Sequence, residues 1–200
     1  LYVIPANTPP LAVEALLGPE PAYETTQLIC EGIGWHDVDG DEPNWMARWY
    51  VDDVEVVGQI GLTLEGDSFR KGQQVMCELT PFDGELVGLP VQSNVVTILN
   101  SPPEPPTLEI DPEPVAELDE EIVCEVDDEA TDVDGDVIVV TDDYLVQWYM
   151  NGVLVPDLED MWEVPADRTS LGETWTCEVS ATDGSEWSVP VQVSTAVLPA

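Results

Sequence analysis

Apolar and polar residues alternate along much of this 200-residue chain. Ile122, Cys124 and Val126 fall on one face of an extended segment, with Val123, Glu125 and Asp127 on the other. Val146, Trp148 and Met150 share a face. Trp175, Cys177 and Val179 point inward, while Thr174, Thr176, Glu178 and Ser180 point outward. A last strand is expected from about Val189 to Val197. The same signature occurs earlier at Leu28 and Cys30, at Ala47, Trp49 and Val51, and at Val75, Cys77 and Leu79. A two-residue period marks half-buried strands. Asn151-Gly152 predicts a tight hairpin with Val153 to Val155 returning. No stretch sustains a helical period. Leu11 to Leu17 would allow one helical turn, but Ala15 and Leu17 match Leu108 and Ile110, which alternate after a run of prolines. Both stretches are therefore expected to be first strands, and the chain to be all-β.

The strands belong to two copies of one unit. Pro19-Glu20-Pro21 recurs as Pro112-Glu113-Pro114, Cys30 as Cys124, and Asp37-Val38-Asp39-Gly40-Asp41 as Asp132-Val133-Asp134-Gly135-Asp136. Arg48-Trp49-Tyr50-Val51 recurs as Gln147-Trp148-Tyr149-Met150, Cys77-Glu78-Leu79 as Cys177-Glu178-Val179, and Pro90-Val91-Gln92 as Pro190-Val191-Gln192. The offset climbs along the chain from 93 to 100, so the second copy carries insertions in its loops while the frame is kept. Asn7-Thr8-Pro9-Pro10 and Asn100-Ser101-Pro102-Pro103 are the same joint, and proline-rich joints are semi-rigid spacers. The expected domains are residues 7–99 and 100–200. Residues 1–6 read as the end of a preceding repeat, because Val3-Ile4-Pro5-Ala6 nearly copies Val197-Leu198-Pro199-Ala200. The competing reading is an apolar strand that docks on a neighbouring subunit.

Charge narrows the function. Four basic and 42 acidic side chains give a formal net charge of −38. Nucleic acid and anionic membranes would repel such a chain. The hydrophobic content of 44% and seven Trp argue for packed domains, not a solvated tail. No apolar run reaches the roughly 20 residues of a membrane span. Self-repulsion on this scale calls for screening by salt or neutralisation by divalent cations, both supplied outside cells. Enzyme readings fare poorly. His36 is the single histidine, so a nucleophile–histidine pair is available once and not in both repeats.

Two cysteines per unit, with a Trp on an alternating strand between them, resemble an immunoglobulin-type β-sandwich. With the Asp-x-Asp-Gly-Asp run ahead of the Trp strand, each unit is similar to the PKD-like and bacterial immunoglobulin-like repeats of large secreted or cell-surface proteins. The resemblance covers nearly the whole chain, twice. It implies two tandem immunoglobulin-like sandwiches, each with one inter-sheet disulfide, Cys30–Cys77 and Cys124–Cys177. It also implies an oxidising, extracellular or cell-surface setting. The units depart from antibody domains in lacking a Tyr two residues before the second Cys, where Val75 and Trp175 stand.

The acidic runs carry the candidate chemistry. Asp37, Asp39 and Asp41, and Asp132, Asp134 and Asp136, alternate with small or turn residues, a spacing that lets carboxylates converge on a hard cation such as calcium. In a sandwich of this type Asp83 and Asp183 lie in a loop at the same end and would complete the set. A plain Asp/Gly turn is the competing reading. Trp35, Trp45, Trp162 and Trp187 have no consistent partners in the other copy and read as local packing or as exposed contact residues. The expected function is non-enzymatic: part of a stalk, adhesin or filament on a prokaryotic, above all bacterial, surface. Its expected partners are neighbouring copies of the repeat, in cis or head-to-tail. The alternative is a carbohydrate- or ligand-binding module of a secreted enzyme.

Overall fold

The computed structural model describes residues 6–116 and 121–199. Residues 1–5, most of the segment read as a preceding repeat's end or a docking strand, lie outside that range. The chain divides into two compact units, Leu1–Asn100 and Ser101–Ala200.

Unit 1 contains β1 (Glu14–Gly18), β2 (Leu28–Ile33), β3 (Asn44–Val51), β4 (Val54–Glu55), β5 (Thr63–Leu64), β6 (Gln74–Phe82), β7 (Val91–Gln92) and β8 (Val96–Thr97). One sheet runs β1-β2-β5; the other runs β4-β3-β6-β7, with β8 also on β6. Unit 2 contains β9 (Thr107–Asp111), β10 (Val115–Ala116), β11 (Ile122–Asp128), β12 (Tyr144–Met150), β13 (Val153–Leu154), β14 (Glu163–Val164), β15 (Thr174–Ala181) and β16 (Val191–Leu198). Its sheets run β14-β11-β9 and β10-β16-β15-β12-β13. Each unit is an immunoglobulin-like sandwich of two sheets.

The alternating residues close the cores as their period requires. Trp49 and Trp148 are fully buried, and their indole N–H groups donate to the carbonyls of Gly61 and Met161, each at 2.8 Å. The two disulfides are Cys30–Cys77 and Cys124–Cys177, each with a Cα–Cα distance of 6.3 Å, and they join the sheets beside these rings. The first strands are present: Leu17 lies opposite Cys30, and Ile110 opposite Cys124. Asn151 and Gly152, with φ of 52° and 78°, form the hairpin, and its returning strand ends at Leu154.

The repeated Pro-Glu-Pro marks where the first segment changes sheets. After β1 the chain reaches Ala22, which bridges Ile98 in parallel; after β9 it reaches β10, which pairs in parallel with β16. Proline has no N–H to give, so the antiparallel ladder ends there and the chain is released to the other sheet. The last strand differs between copies. β16 is continuous, whereas unit 1 is interrupted between β7 and β8, where the Asn94 side chain bonds both the N–H and the C=O of Leu17.

Candidate metal centre

The loop between β2 and β3 folds around Asp37. Its Oδ1 accepts the N–H groups of Asp39 (2.7 Å), Gly40 (3.0 Å) and Asp41 (3.4 Å). Gly40 has φ of +83°, a backbone state that glycine adopts without strain. With Oδ1 occupied by backbone donors, Oδ2 is left over, and the loop between β6 and β7 brings a further carboxylate to this one. Asp83 is fixed there in the same way, its Oδ1 accepting the N–H groups of Glu85 and Leu86, each at 2.7 Å. Oxygens of Asp37, Asp41 and Asp83 all lie within 4.8 Å of one another.

Unit 2 repeats the construction. Asp132 Oδ1 accepts the N–H groups of Asp134 (2.7 Å) and Asp136 (3.5 Å), and Gly135 has φ of +82°. Asp183 Oδ1 accepts the N–H groups of Ser185 (2.6 Å) and Glu186 (2.8 Å). Oxygens of Asp132, Asp136 and Asp183 again lie within 4.8 Å of one another. In both units the second oxygen of the leading aspartate, Asp37 Oδ2 and Asp132 Oδ2, is buried and has no hydrogen-bond partner. A buried charged acceptor without a partner is costly, and it points to a cation as its complement. The donor set is all oxygen, which suits a hard ion such as calcium and not zinc.

The Asp41 carboxyl is held above the usual range by desolvation first and then by the charges of Asp37, Asp83, Asp39 and Glu85. Asp83 is held below it, chiefly by the Leu86 N–H, with Glu85 and Asn7 adding to the effect.

Of the eight aspartates expected to bind metal, Asp39 and Asp134 are turned to another task. Asp39 Oδ2 accepts the N–H (2.8 Å) and hydroxyl (2.7 Å) of Thr8. Asp134 accepts the N–H (2.6 Å) and hydroxyl (3.1 Å) of Ser101. The side-chain amide of Asn7 donates to Asp83 Oδ2 at 3.2 Å. The residues just before each Pro-Pro pair are therefore fastened to the acidic loop of their own unit. The signal was present in the sequence as a hydroxyl residue, Thr8 or Ser101, at one position of the repeat. Asp39→Ala and Asp134→Ala are expected to raise cleavage in the adjoining joint roughly five-fold, the opening expected when a net hydrogen bond of about 1 kcal/mol is lost. Limited proteolysis mapped by mass spectrometry measures this.

The aromatic residues without repeat partners divide. Trp35 and Trp45 meet edge-to-face at 5.4 Å, and Trp162 lies 6.2 Å from Tyr144. Trp187 is 53% exposed. His36 is exposed, and its backbone pairs with Leu11.

No protein-family model and no curated protein matches the chain. Among solved structures it is similar to a segment of two fibronectin type III domains from chicken tenascin, with 13% identity over 92% of this chain and 98% of that one, at a TM-score of 0.39. It is also similar to the chicken interferon gamma receptor alpha chain, with 11% identity over 96% of this chain and 100% of that one, at a TM-score of 0.41. Immunoglobulin domains 1–5 of Sidekick-1 give 16% identity over 98% of this chain and 40% of that one, at a TM-score of 0.35. The fold itself is established by the strand order, the disulfides and the buried Trp of each unit. Two disulfides fit an oxidising environment. Among the described residues, no helix is long and apolar enough to cross a membrane.

Proposed function

We propose that this chain is a non-enzymatic, load-bearing length of an extracellular repeat protein, of the PKD-like and bacterial immunoglobulin-like kind, in a stalk, adhesin or filament on a bacterial surface. Each sandwich is locked by its disulfide, and each holds a calcium ion at Asp37, Asp41 and Asp83 or at Asp132, Asp136 and Asp183. The supporting observation is the duplicated site: both copies of the repeat bring three carboxylates together, each with a buried, unpartnered aspartate oxygen. A turn needs only the Oδ1 contacts, and the second oxygen is left over in both copies. Bound calcium would neutralise the cluster and hold the loop whose Asp39 or Asp134 fastens the entering chain. Neighbouring repeats, in cis or head-to-tail, are the proposed partners.

The test is thermal unfolding of the oxidised protein with calcium and with chelator, at one fixed high ionic strength so that general screening is equal. Calcium at 100 times its Kd stabilises the folded form by about 2.7 kcal/mol, a rise on the order of 10 °C for a unit of this size. No rise at millimolar calcium removes the metal and leaves the loops as turns.

A further inference from the structure

The two sandwiches differ at one strand edge. In unit 2 the Val155 N–H donates to Trp148 O at 2.8 Å, and the Asp160 N–H then donates to Val146 O at 2.9 Å. Between these anchors a 3-10 turn, Pro156–Leu158, drives Leu158 into the core, where it is 2% exposed. The free side of β12 is thus covered by the unit's own loop. Unit 1 begins the same way, with the Val56 N–H on Trp49 O at 2.8 Å. Its loop is one residue shorter, counted from the core Trp to the carbonyl that accepts its indole: 12 residues from Trp49 to Gly61 against 13 from Trp148 to Met161. Gly58 and Gln59 stand where unit 2 has its turn, and the space beside Gly58 is open.

What remains is a groove of about 420 Å³ bordered by Trp45, Met46, Ala47, Arg48, Gln59 and Ile60. That volume is in the range of ligand sites. Along a strand, backbone groups alternate sides with a period of two. Trp49 O faces β4, so the N–H and C=O of Ala47 face the groove. Met46 and Ile60 are 44% and 79% exposed at its rim. Arg48, one of only three arginines in a chain of net charge −38, is 64% exposed there and 3.9 Å from Glu78.

We infer that this groove of unit 1 is a docking site for an extended segment of a partner protein. The segment adds to the free edge of β3, places one aliphatic side chain in the space that Leu158 fills in unit 2, and sets a flanking carboxylate on Arg48. Unit 2 is the internal template. Its covering segment, Pro156-Asp157-Leu158-Glu159-Asp160, is an aliphatic residue flanked by acids whose backbone N–H caps the strand. Addition to a sheet edge takes its affinity from main-chain bonds and its selectivity from side-chain pockets. Glu55 also lines the groove.

The probe is a peptide copying residues 153–161, titrated into the full oxidised chain in high salt and followed by amide NMR shifts. Saturable shifts are expected at Met46, Ala47 and Ile60 but not at Val146, with a Kd of about 1 mM or tighter. Peptide Leu→Ala at the central position weakens binding about tenfold or more, because the pocketed methyl groups are lost. Arg48→Glu weakens it several-fold. Replacing Val57–Ile60 with the Pro156–Asp160 sequence abolishes it while leaving the signals of the unit 1 core residues Trp49, Val75 and Val96 in place, which confirms that unit 1 is folded. The inference is overturned by an absence of saturable shifts at several millimolar peptide, by equal binding of the Leu→Ala peptide, or by an oligosaccharide occupying the groove where the peptide does not.

Discussion

Replacing Cys30 and Cys77 together by alanine is expected to destabilise unit 1 by about 4 kcal/mol, the largest effect of any change proposed for this molecule. The bridge closes a separation of 47 residues, and restraining a loop of that length in the unfolded chain accounts for about 4 kcal/mol in the chain-entropy model. Domains of this size have roughly 5–15 kcal/mol in all. The variant therefore loses between about a quarter and most of its stability, and its melting point drops by roughly 15–30 °C. Both cysteines are essentially buried, at 1% and 0% exposure, against Trp49, so alanine leaves a small void without a polar orphan. Scanning calorimetry of the variant should show the unit 1 transition moving down while that of unit 2 stays. Cys124→Ala with Cys177→Ala is expected to do the converse, its separation of 53 residues predicting almost the same loss. A shift below about 1 kcal/mol would mean that the sandwiches hold without their bridges, and the load-bearing role would lose its physical basis.

The second large effect is a reversal of sign. Asp37→Asn and Asp132→Asn each keep the side-chain carbonyl that the loop N–H groups use, and each replaces the buried, unpartnered oxygen with an amide donor. In chelator the amide faces two carboxylates instead of adding a third, so these variants are expected to melt higher than the parent. With calcium the order inverts. The parent gains its rise on the order of 10 °C, and each variant loses the part that comes from its own unit. Parallel melting curves in the two buffers check this. Variants that respond to calcium as the parent does would place the ion elsewhere. Variants that melt lower than the parent in both buffers would mean that the oxygen serves the fold and not a cation.

Much of this molecule is legible in a two-residue period. Which face of each strand enters the core is a local property, because successive side chains on an extended backbone point to opposite sides. Trp49, Cys77, Trp148 and Cys177 therefore announce their burial from the sequence alone. The duplication announces itself in the same way, and the Pro-Glu-Pro segments mark breaks because proline lacks a donor. The expected final strand began two residues early, at Val189, because Pro190 delays its pairing and leaves Val189 exposed.

The site was half legible. The sequence by itself determined that each acidic run is a turn rich in carboxylates, because Asp-Gly spacing is a local signal. Only the tertiary structure decided which carboxylates meet. Asp37, Asp41 and Asp83 converge because loops more than 40 residues apart leave the same end of one sandwich. Asp39 sits between two members of that cluster in the chain but turns to Thr8, because a tight turn sends alternate side chains in different directions. The groove in unit 1 lay further still from the sequence. It lies beside a loop one residue shorter than the one that carries Leu158 in the other copy, and a groove is a property of packing, which no single stretch of residues contains.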